Sequence, residues 1–385
     1  MLNFDANACY GLTQEVQEYL VTKVNYANFI ANPSSIHKLG QNSRGLIENA
    51  RIEISSFLKI DQNKRLIFTS GASESNTQAI LSPYWEELNV NTNVNFVTTA
   101  IEHPSVLETA NFLKTRGVEV RIVPPNKDGL YSPEIFLEYV DNNTKLISVM
   151  YANNETGYIF EVENIAGLVK SKFPNILFHC DGVQALGKID FSLENSLIDY
   201  FTFSGHKIGS LTGVGALVIN KDIAVNSLIF GGPQESRHRA GTENVLGIQT
   251  LAIACSNLEK KLKENLLKLQ KNKELIIEYL NTNFKDRIKI NHSNSKTLPN
   301  TISLEIQGVN ADDFVVALDL DGICISSGSA CASGKPLPSH VLLALGKTYE
   351  EAKSTIRISF RADLSTAELE LFLVKLNSRL NSFVD

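Results

Sequence analysis

The stretch that decides the fold reads Phe178-His179-Cys180-Asp181-Gly182-Val183-Gln184 and resumes as Tyr200-Phe201-Thr202-Phe203-Ser204-Gly205-His206-Lys207. Each part is a short apolar or aromatic run that ends abruptly in polar and charged residues. Such runs, bounded by glycine and polar residues, read as buried strands, here Ile176–His179 and Tyr200–Phe203. Working outward, Leu66–Thr69, Val94–Thr98, Val118–Val123, Leu146–Met150 and Gly215–Ile219 have the same character. Between them, 104–116 and 162–172 carry helical spacing. Strands alternating with helices predict an α/β fold built on a mostly parallel, seven-stranded sheet covered on both faces. Ligands of such sheets collect at the carboxyl ends of the strands, where Asp181, Gln184, Ser204, His206 and Lys207 all fall.

Further along, Leu258, Leu262, Leu266, Leu269, Ile276 and Leu280 recur through a Lys/Glu-rich background and predict a long amphipathic helix joining two domains. Strand-like Thr301–Ile306, a helix from about Ala311, strand-like Ile323–Ile325, a loop, and two more helices separated by Thr355–Ser359 predict a smaller α+β domain. The expected division of the 385 residues is 15–256 for the large domain and 1–14 with 257–385 for the small one. With 43% hydrophobic residues the chain can bury a substantial core. Its 36 Lys+Arg against 42 Asp+Glu give a net charge of −6, which argues against direct nucleic-acid binding. No apolar run is long enough to span a membrane, and Met1-Leu2-Asn3-Phe4-Asp5 does not resemble a secretory signal, so a cytoplasmic protein is expected. The five cysteines, Cys9, Cys180, Cys255, Cys324 and Cys331, show no CxxC pair or zinc-finger spacing and are expected to be reduced thiols. Cys324, within an apolar strand, is expected in the core.

A lysine at a strand end, with an aspartate at the end of a neighbouring strand, is what pyridoxal 5'-phosphate requires. The lysine binds its aldehyde carbon, and the carboxylate keeps the pyridine nitrogen protonated. Thr69-Ser70-Gly71-Ala72-Ser73-Glu74-Ser75 adds a strand, a glycine turn and hydroxyls opening a helix, a pattern suited to holding phosphate on backbone amides. Ile101-Glu102-His103-Pro104-Ser105 follows another strand and places His103 at the same edge, where an imidazole can stack on a ring and move protons. Asn153-Asn154-Glu155-Thr156-Gly157 offers amides to the same crevice. In Ser326-Ser327-Gly328-Ser329-Ala330-Cys331-Ala332-Ser333-Gly334, small residues leave the thiol of Cys331 exposed on a loop. A thiol there needs a nearby cation or helix N-terminus to become a thiolate.

Together these stretches resemble group I cysteine desulfurases of the NifS/IscS type, fold-type I pyridoxal-phosphate enzymes of the class V aminotransferase superfamily. The resemblance covers nearly the whole chain. It rests also on Asn32-Pro33-Ser34-Ser35-Ile36-His37, Gly231-Gly232-Pro233-Gln234-Glu235, Arg239-Ala240-Gly241-Thr242 and Ile356-Arg357-Ile358-Ser359. It implies that Lys207 carries the cofactor, Asp181 pairs with the pyridine nitrogen, Gln184 faces the phenolic oxygen and His103 stacks on the ring as acid/base. Ser73, Ser204, His206 and the amide of Ala72 would hold the phosphate, and Thr242 would reach the phosphate of a neighbouring subunit, implying a homodimer. Arg357 and Asn154 would hold the substrate carboxylate. Cys331, on a loop of the small domain, would accept sulfur. No metal is implied.

The implied reaction converts L-cysteine to L-alanine, leaves the sulfur as a persulfide on Cys331 and passes it to an acceptor protein. The pathway served could be iron–sulfur cluster assembly, tRNA thiolation or DNA phosphorothioation. Three departures stand out. Ala8-Cys9-Tyr10 replaces the family's Ala-Thr-Thr, Gly209-Ser210-Leu211-Thr212-Gly213 replaces Tyr-Gly-Pro-Lys-Gly, and the chain ends at Asp385 without a longer tail, from which a dedicated sulfur donor with its own acceptor is expected. The competing readings are a selenocysteine or cystine lyase, an aminotransferase of the same fold, or a non-catalytic partner in a sulfur-transfer complex. An aminotransferase would have no use for Cys331, and a non-catalytic partner none for Lys207.

Overall fold

A computed structural model describes residues 1–23, 31–88, 93–327 and 338–384. The chain runs β1 (Leu2–Asn3), α1 (Gln14–Lys23), α2 (Lys38–Phe57), β2 (Lys64–Thr69), α3 (Ala72–Leu81), β3 (Asn95–Thr99), α4 (Pro104–Thr115), β4 (Glu119–Val123), β5 (Thr144–Ser148), α5 (Val162–Lys172), β6 (Leu177–Asp181), β7 (Tyr200–Ser204) and β8 (Gly215–Asn220). It continues through α6 (Val245–Phe284), β9 (Ile288–Ile290), β10 (Thr301–Ile306), α7 (Ala311–Leu320), β11 (Ile323–Cys324), α8 (His340–Ala344), α9 (Tyr349–Lys353), β12 (Thr355–Ser359) and α10 (Thr366–Val384).

All seven expected strands join one sheet in the order β2-β8-β7-β6-β5-β3-β4. Strands β4, β3, β5, β6 and β7 are parallel, while β8 runs antiparallel to both β7 and β2. The β6–β7 register pairs Asp181 with Thr202, so both strands deliver their last residues to the same edge. The chain steps from β3 outward to β4 and then returns past β3 to β5. The loops after β3 and β5 therefore flank the point where strand order reverses, the place where such sheets leave an open crevice.

A second, antiparallel sheet, β12-β10-β9, and the parallel pair β1–β11 complete the architecture. Phe4, just past β1, stacks on Phe372 of α10 with ring centroids 3.7 Å apart, so the chain's first residues pack with its last helices. Helix α6 serves both cores. Val245, Ile248, Leu251 and Leu258 pack beside the large sheet, and Leu269, Ile276, Leu280 and Phe284 beside the small one. The helix starts at Val245, well ahead of the expected Leu258, because its first turns are buried on several sides and carry no one-sided stripe. Two short helices, α8 and α9, stand where one was expected before β12. Cys324 is half-buried instead of in the core, because β11 is two residues long and pairs only with β1. Cys180 and Cys255 are buried, and Cys9 is exposed. Among the described residues, no helix is long and apolar enough to cross a membrane.

Candidate active site

Lys207 closes a single helical turn that follows β7 directly. Its ammonium donates to the carbonyl oxygens of Asn7 at 2.7 Å and Ala8 at 2.8 Å. The N-terminal segment thus lies against the lysine, an arrangement reinforced by Tyr10 N donating to His206 O and Thr13 N donating to Gly209 O. Gly209 adopts φ +88°, and a Cβ there would stand 2.4 Å from Thr13 Cγ2, so only glycine allows this approach. The two segments that depart from the family pattern, 8–10 and 209–213, are therefore neighbours wrapped around Lys207.

Asp181, the last residue of β6, is buried. Its Oδ1 accepts from Val183 N at 3.0 Å and its Oδ2 from Asn76 Nδ2 at 2.7 Å. Both bonds hold the carboxyl group in place at the strand end, where it would pair with a ring nitrogen. His103 caps the N-terminus of α4, where its Nδ1 accepts from Ser105 N at 3.1 Å. Burial first, and then the charges of Lys207 and His340, hold its pKa below the usual histidine range, with Asp181 pulling the other way. His103 follows β3, Asp181 ends β6 and Lys207 follows β7, so all three stand at the carboxyl edge of one sheet.

Helix α3 meets this space with its N-terminus. Gly71 precedes it, and a Cβ there would stand 3.6 Å from Ser204 Oγ, in the gap between the first turn of α3 and the end of β7. A side chain on Gly215 would strike Gly71 Cα at 2.7 Å, so two glycines let β8 and the helix end close up. The first-turn amides, Ala72 among them, have no carbonyl of their own helix to bond. Ser204 Oγ lies 3.0 Å from His206 Nδ1, and burial together with the Lys207 charge brings the His206 pKa down to about 4. A neutral imidazole, a hydroxyl and helix-end amides around a glycine-lined gap fit a phosphate group. Ser73 is exposed at the same helix end. With Lys207 and Asp181 beside the gap, the donor set fits pyridoxal phosphate.

On the substrate side, Arg357 of β12 is buried. Its Nη2 pairs with Asp5 at 2.5 Å, its Nη1 donates to Asn154 O at 3.0 Å, and its Nε has no partner among the described residues. Asp5 aims the guanidinium, and the unpaired Nε leaves it capacity for a second carboxylate. Asn154 is brought to Arg357 through its carbonyl. The turn that holds it is built by Asn153, whose Oδ1 accepts from Glu155 N and Thr156 N. Thr242 stands apart from this cluster, exposed on the segment before α6, where it lines a cavity of about 110 Å³ with Thr69, Ser70 and Arg239. Cys331 lies outside the described residues. The chain beyond it is fastened nearby, since Ser339 donates to Glu155 and His340 Nε2 bonds Glu102 O at 3.0 Å.

Sequence reasoning missed several groups that build this site. Asn7 accepts Lys207 and Gln184 on its carbonyl, takes Lys188 and Asn300 on its Oδ1, and donates to Asn154 O and Thr301. Lys188, more deeply buried than the half-buried Lys207, also donates to Gln184 Oε1. Burial, then the charges of Lys207 and Arg357, push its pKa well below the usual lysine range. Gln184 is thereby held with its Oε1 toward Lys188 and its amide nitrogen toward Asn7, so nitrogen is the end available to a phenolic oxygen. Signals for these residues were weak. An asparagine before Ala8 and a lysine on an exposed-looking Gly-Lys turn are common features of unrelated surfaces.

A family model described as aminotransferase class-V matches residues 3–372. A cysteine desulfurase IscS of Clostridium botulinum is 35% identical over 344 residues, 89% of this chain and 85% of its own length. Among solved structures, a NifS-like protein superposes with a TM-score of 0.90 at 32% identity, covering 99% of both chains. SspA, solved in complex with cysteine, superposes with a TM-score of 0.79 at 30% identity, covering 94% of this chain and 99% of its own. By family model, relatives and fold alike, the chain belongs to the class V aminotransferase family, within its cysteine desulfurase branch.

Proposed function

We propose that this protein is a pyridoxal-phosphate-dependent cysteine desulfurase that releases L-alanine and holds the sulfur as a persulfide on Cys331. The observation that carries the reading is the convergence of Lys207, Asp181 and His103 at one sheet edge beside the glycine-lined gap at α3. When bound, the cofactor would act as an electron sink that weakens bonds to the α- and β-carbons of an amino acid.

The chain's own residues supply the rest. Ser204, His206, Ser73 and the Ala72 amide hold the phosphate. Asp181 keeps a proton on the ring nitrogen, Gln184 donates to the phenolic oxygen, and Lys207 binds the aldehyde carbon and takes or returns protons beside it. Arg357, aimed by Asp5, binds the cysteine carboxylate with Asn154, which orients the Cα–H and the thiol. His103 Nε2 is placed to move a proton to or from the substrate. Cys331, as a thiolate, attacks the substrate sulfur. The carbon–sulfur bond breaks, a sulfur–sulfur bond forms, and the carbon collects a proton to become the methyl group of alanine. An acceptor protein then takes the outer sulfur.

We further propose a homodimer. Among the described residues Thr242 makes no hydrogen bond to the Lys207 cluster, and its exposure suits contact with a partner's phosphate. Residues 15–256 form the cofactor unit, and 1–14 with 257–385 the smaller one, α6 being common to both. The free thiols of Cys9, Cys180, Cys255 and Cys324 fit work in the cytoplasm. The test adds pyridoxal phosphate and L-cysteine, then maps persulfide by mass spectrometry. Visible absorbance that depends on Lys207 and an added sulfur on Cys331 are expected; absorbance without any modified cysteine would refute the sulfur-transfer part.

A further inference from the structure

Asp181 and His103 belong to different strand ends, and two side chains with no role so far connect them. Asn76, fully buried in α3, donates to Asp181 Oδ2 at 2.7 Å and to Ser105 Oγ at 2.9 Å. Ser105 Oγ lies 2.9 Å from His103 Nδ1. The chemistry of the groups settles the direction of each hydrogen. A carboxylate has none to give, so the amide nitrogen of Asn76 faces it. The main-chain N–H of Ser105 already donates to His103 Nδ1, so that nitrogen bears no proton. Ser105 Oγ, receiving from Asn76, turns its own hydrogen to Nδ1.

We propose that Asn76 and Ser105 are positioning residues whose bridge from Asp181 sets His103 as a neutral imidazole with its proton on Nε2, the nitrogen left for the substrate. The role assigned to Nε2 rests on the proposed function, whereas the bridge can be tested without cofactor. A donor to Nδ1 stabilises only the neutral ring, because an imidazolium would set an N–H against the Ser105 N–H. Four ionisable groups face or adjoin His103: Asp181 at the end of β6, Lys207 after β7, His340 of α8 and the adjacent Glu102. Whatever charge each of them carries acts through space and does not depend on the Ser105 hydroxyl, so they cannot produce a Ser105-dependent shift.

The experiment is a pH titration by NMR of apoprotein labelled with 15N-histidine, with His103 assigned from its loss in His103→Gln. The parent should show the Nε2–H tautomer. Ser105→Ala removes a donor to the neutral ring and should raise the His103 midpoint by about half to one pH unit. Ser105→Thr, which keeps the hydroxyl, should restore it. Asn76→Ala frees the Ser105 oxygen to accept from a protonated Nδ1 and should raise the midpoint too. It also strips Asp181 of a bond to its charged form, so in holoprotein the pH midpoint of cofactor absorbance should move for Asn76→Ala and stay for Ser105→Ala. An Nδ1–H tautomer in the parent, or Ser105→Ala titrating like the parent, overturns the proposal. Should Asn76→Ala not fold, the Ser105 pair decides alone. Failure to bind pyridoxal phosphate would sink the proposed function, while the apoprotein titration would still decide the bridge independently.

Discussion

Glu102 is fully buried between Thr99 and His103, and replacing it with glutamine should make the protein more stable, increasingly so as pH rises. Its Oε1 accepts from Thr99 Oγ1 and Met150 N, both at 2.9 Å, while Oε2 has no partner among the described residues. Burial outweighs those two bonds and, with the nearby charge of Asp181, lifts the carboxyl pKa from 4.5 to about 8. A carboxyl whose folded-state pKa is raised keeps its proton in the fold after the unfolded chain has released it. Between those two values the unfolded state binds fewer protons, so stability falls with rising pH by about 1.4 kcal/mol per unit. Glu102→Gln keeps an acceptor for Thr99 and Met150 and cannot ionise. In urea unfolding of the apoprotein followed by circular dichroism, the two proteins should be nearly equal near pH 4.5. The variant should lead by about 3 kcal/mol at pH 7 and by a constant margin above pH 8. A variant that is less stable by the same amount at every pH would mean that Glu102 is ionised in the fold, and the reasoning from burial would fail.

Other consequences follow from the same geometry. Arg357→Lys replaces a guanidinium already committed to Asp5 and Asn154 with a single ammonium. It should raise the KM for L-cysteine by about tenfold or more, in steady-state assays of the holoenzyme. A Cβ on Gly182 would overlap the ring of Phe201, at 2.0 Å from its Cζ. Gly182→Ala should therefore cost about 1–3 kcal/mol in urea unfolding and, by moving Asp181, weaken pyridoxal phosphate binding. Cys331→Ala should abolish sulfide release while L-cysteine still perturbs the cofactor absorbance, because substrate binding by Arg357 is untouched.

The large sheet was legible in the sequence because six of its seven strands are largely buried runs, which announce themselves without partners, while the mostly solvent-facing edge strand β4 shows instead through its apolar/polar alternation. Lys207 and Asp181 were legible for the same reason, since a charge directly after such a run has to sit at a sheet edge. The antiparallel sense of β8 was hidden, because strand direction depends on how a connection crosses the sheet and leaves no local pattern. Asn76 meets Asp181 across 105 residues of chain, and Lys188 meets Asn7 across 181. Neither partner differs locally from an ordinary helix or turn residue, and only folding brings them together. The early start of α6 was masked by its burial, which erased the periodicity that reappears once the helix emerges among lysines and glutamates. Cys324 departs from its expected place in the core because an apolar run reveals a strand and leaves open whether a neighbour covers it.

The central claim is that Lys207 and Cys331 serve one reaction, in which each cysteine consumed yields one alanine and one sulfur. The most direct measurement incubates holoenzyme with L-cysteine and a thiol reductant and quantifies alanine and sulfide in the same samples, alongside Lys207→Ala. Equal amounts of both products, and neither from the variant, are predicted. Alanine formed without sulfide, or products undiminished in Lys207→Ala, would contradict the account.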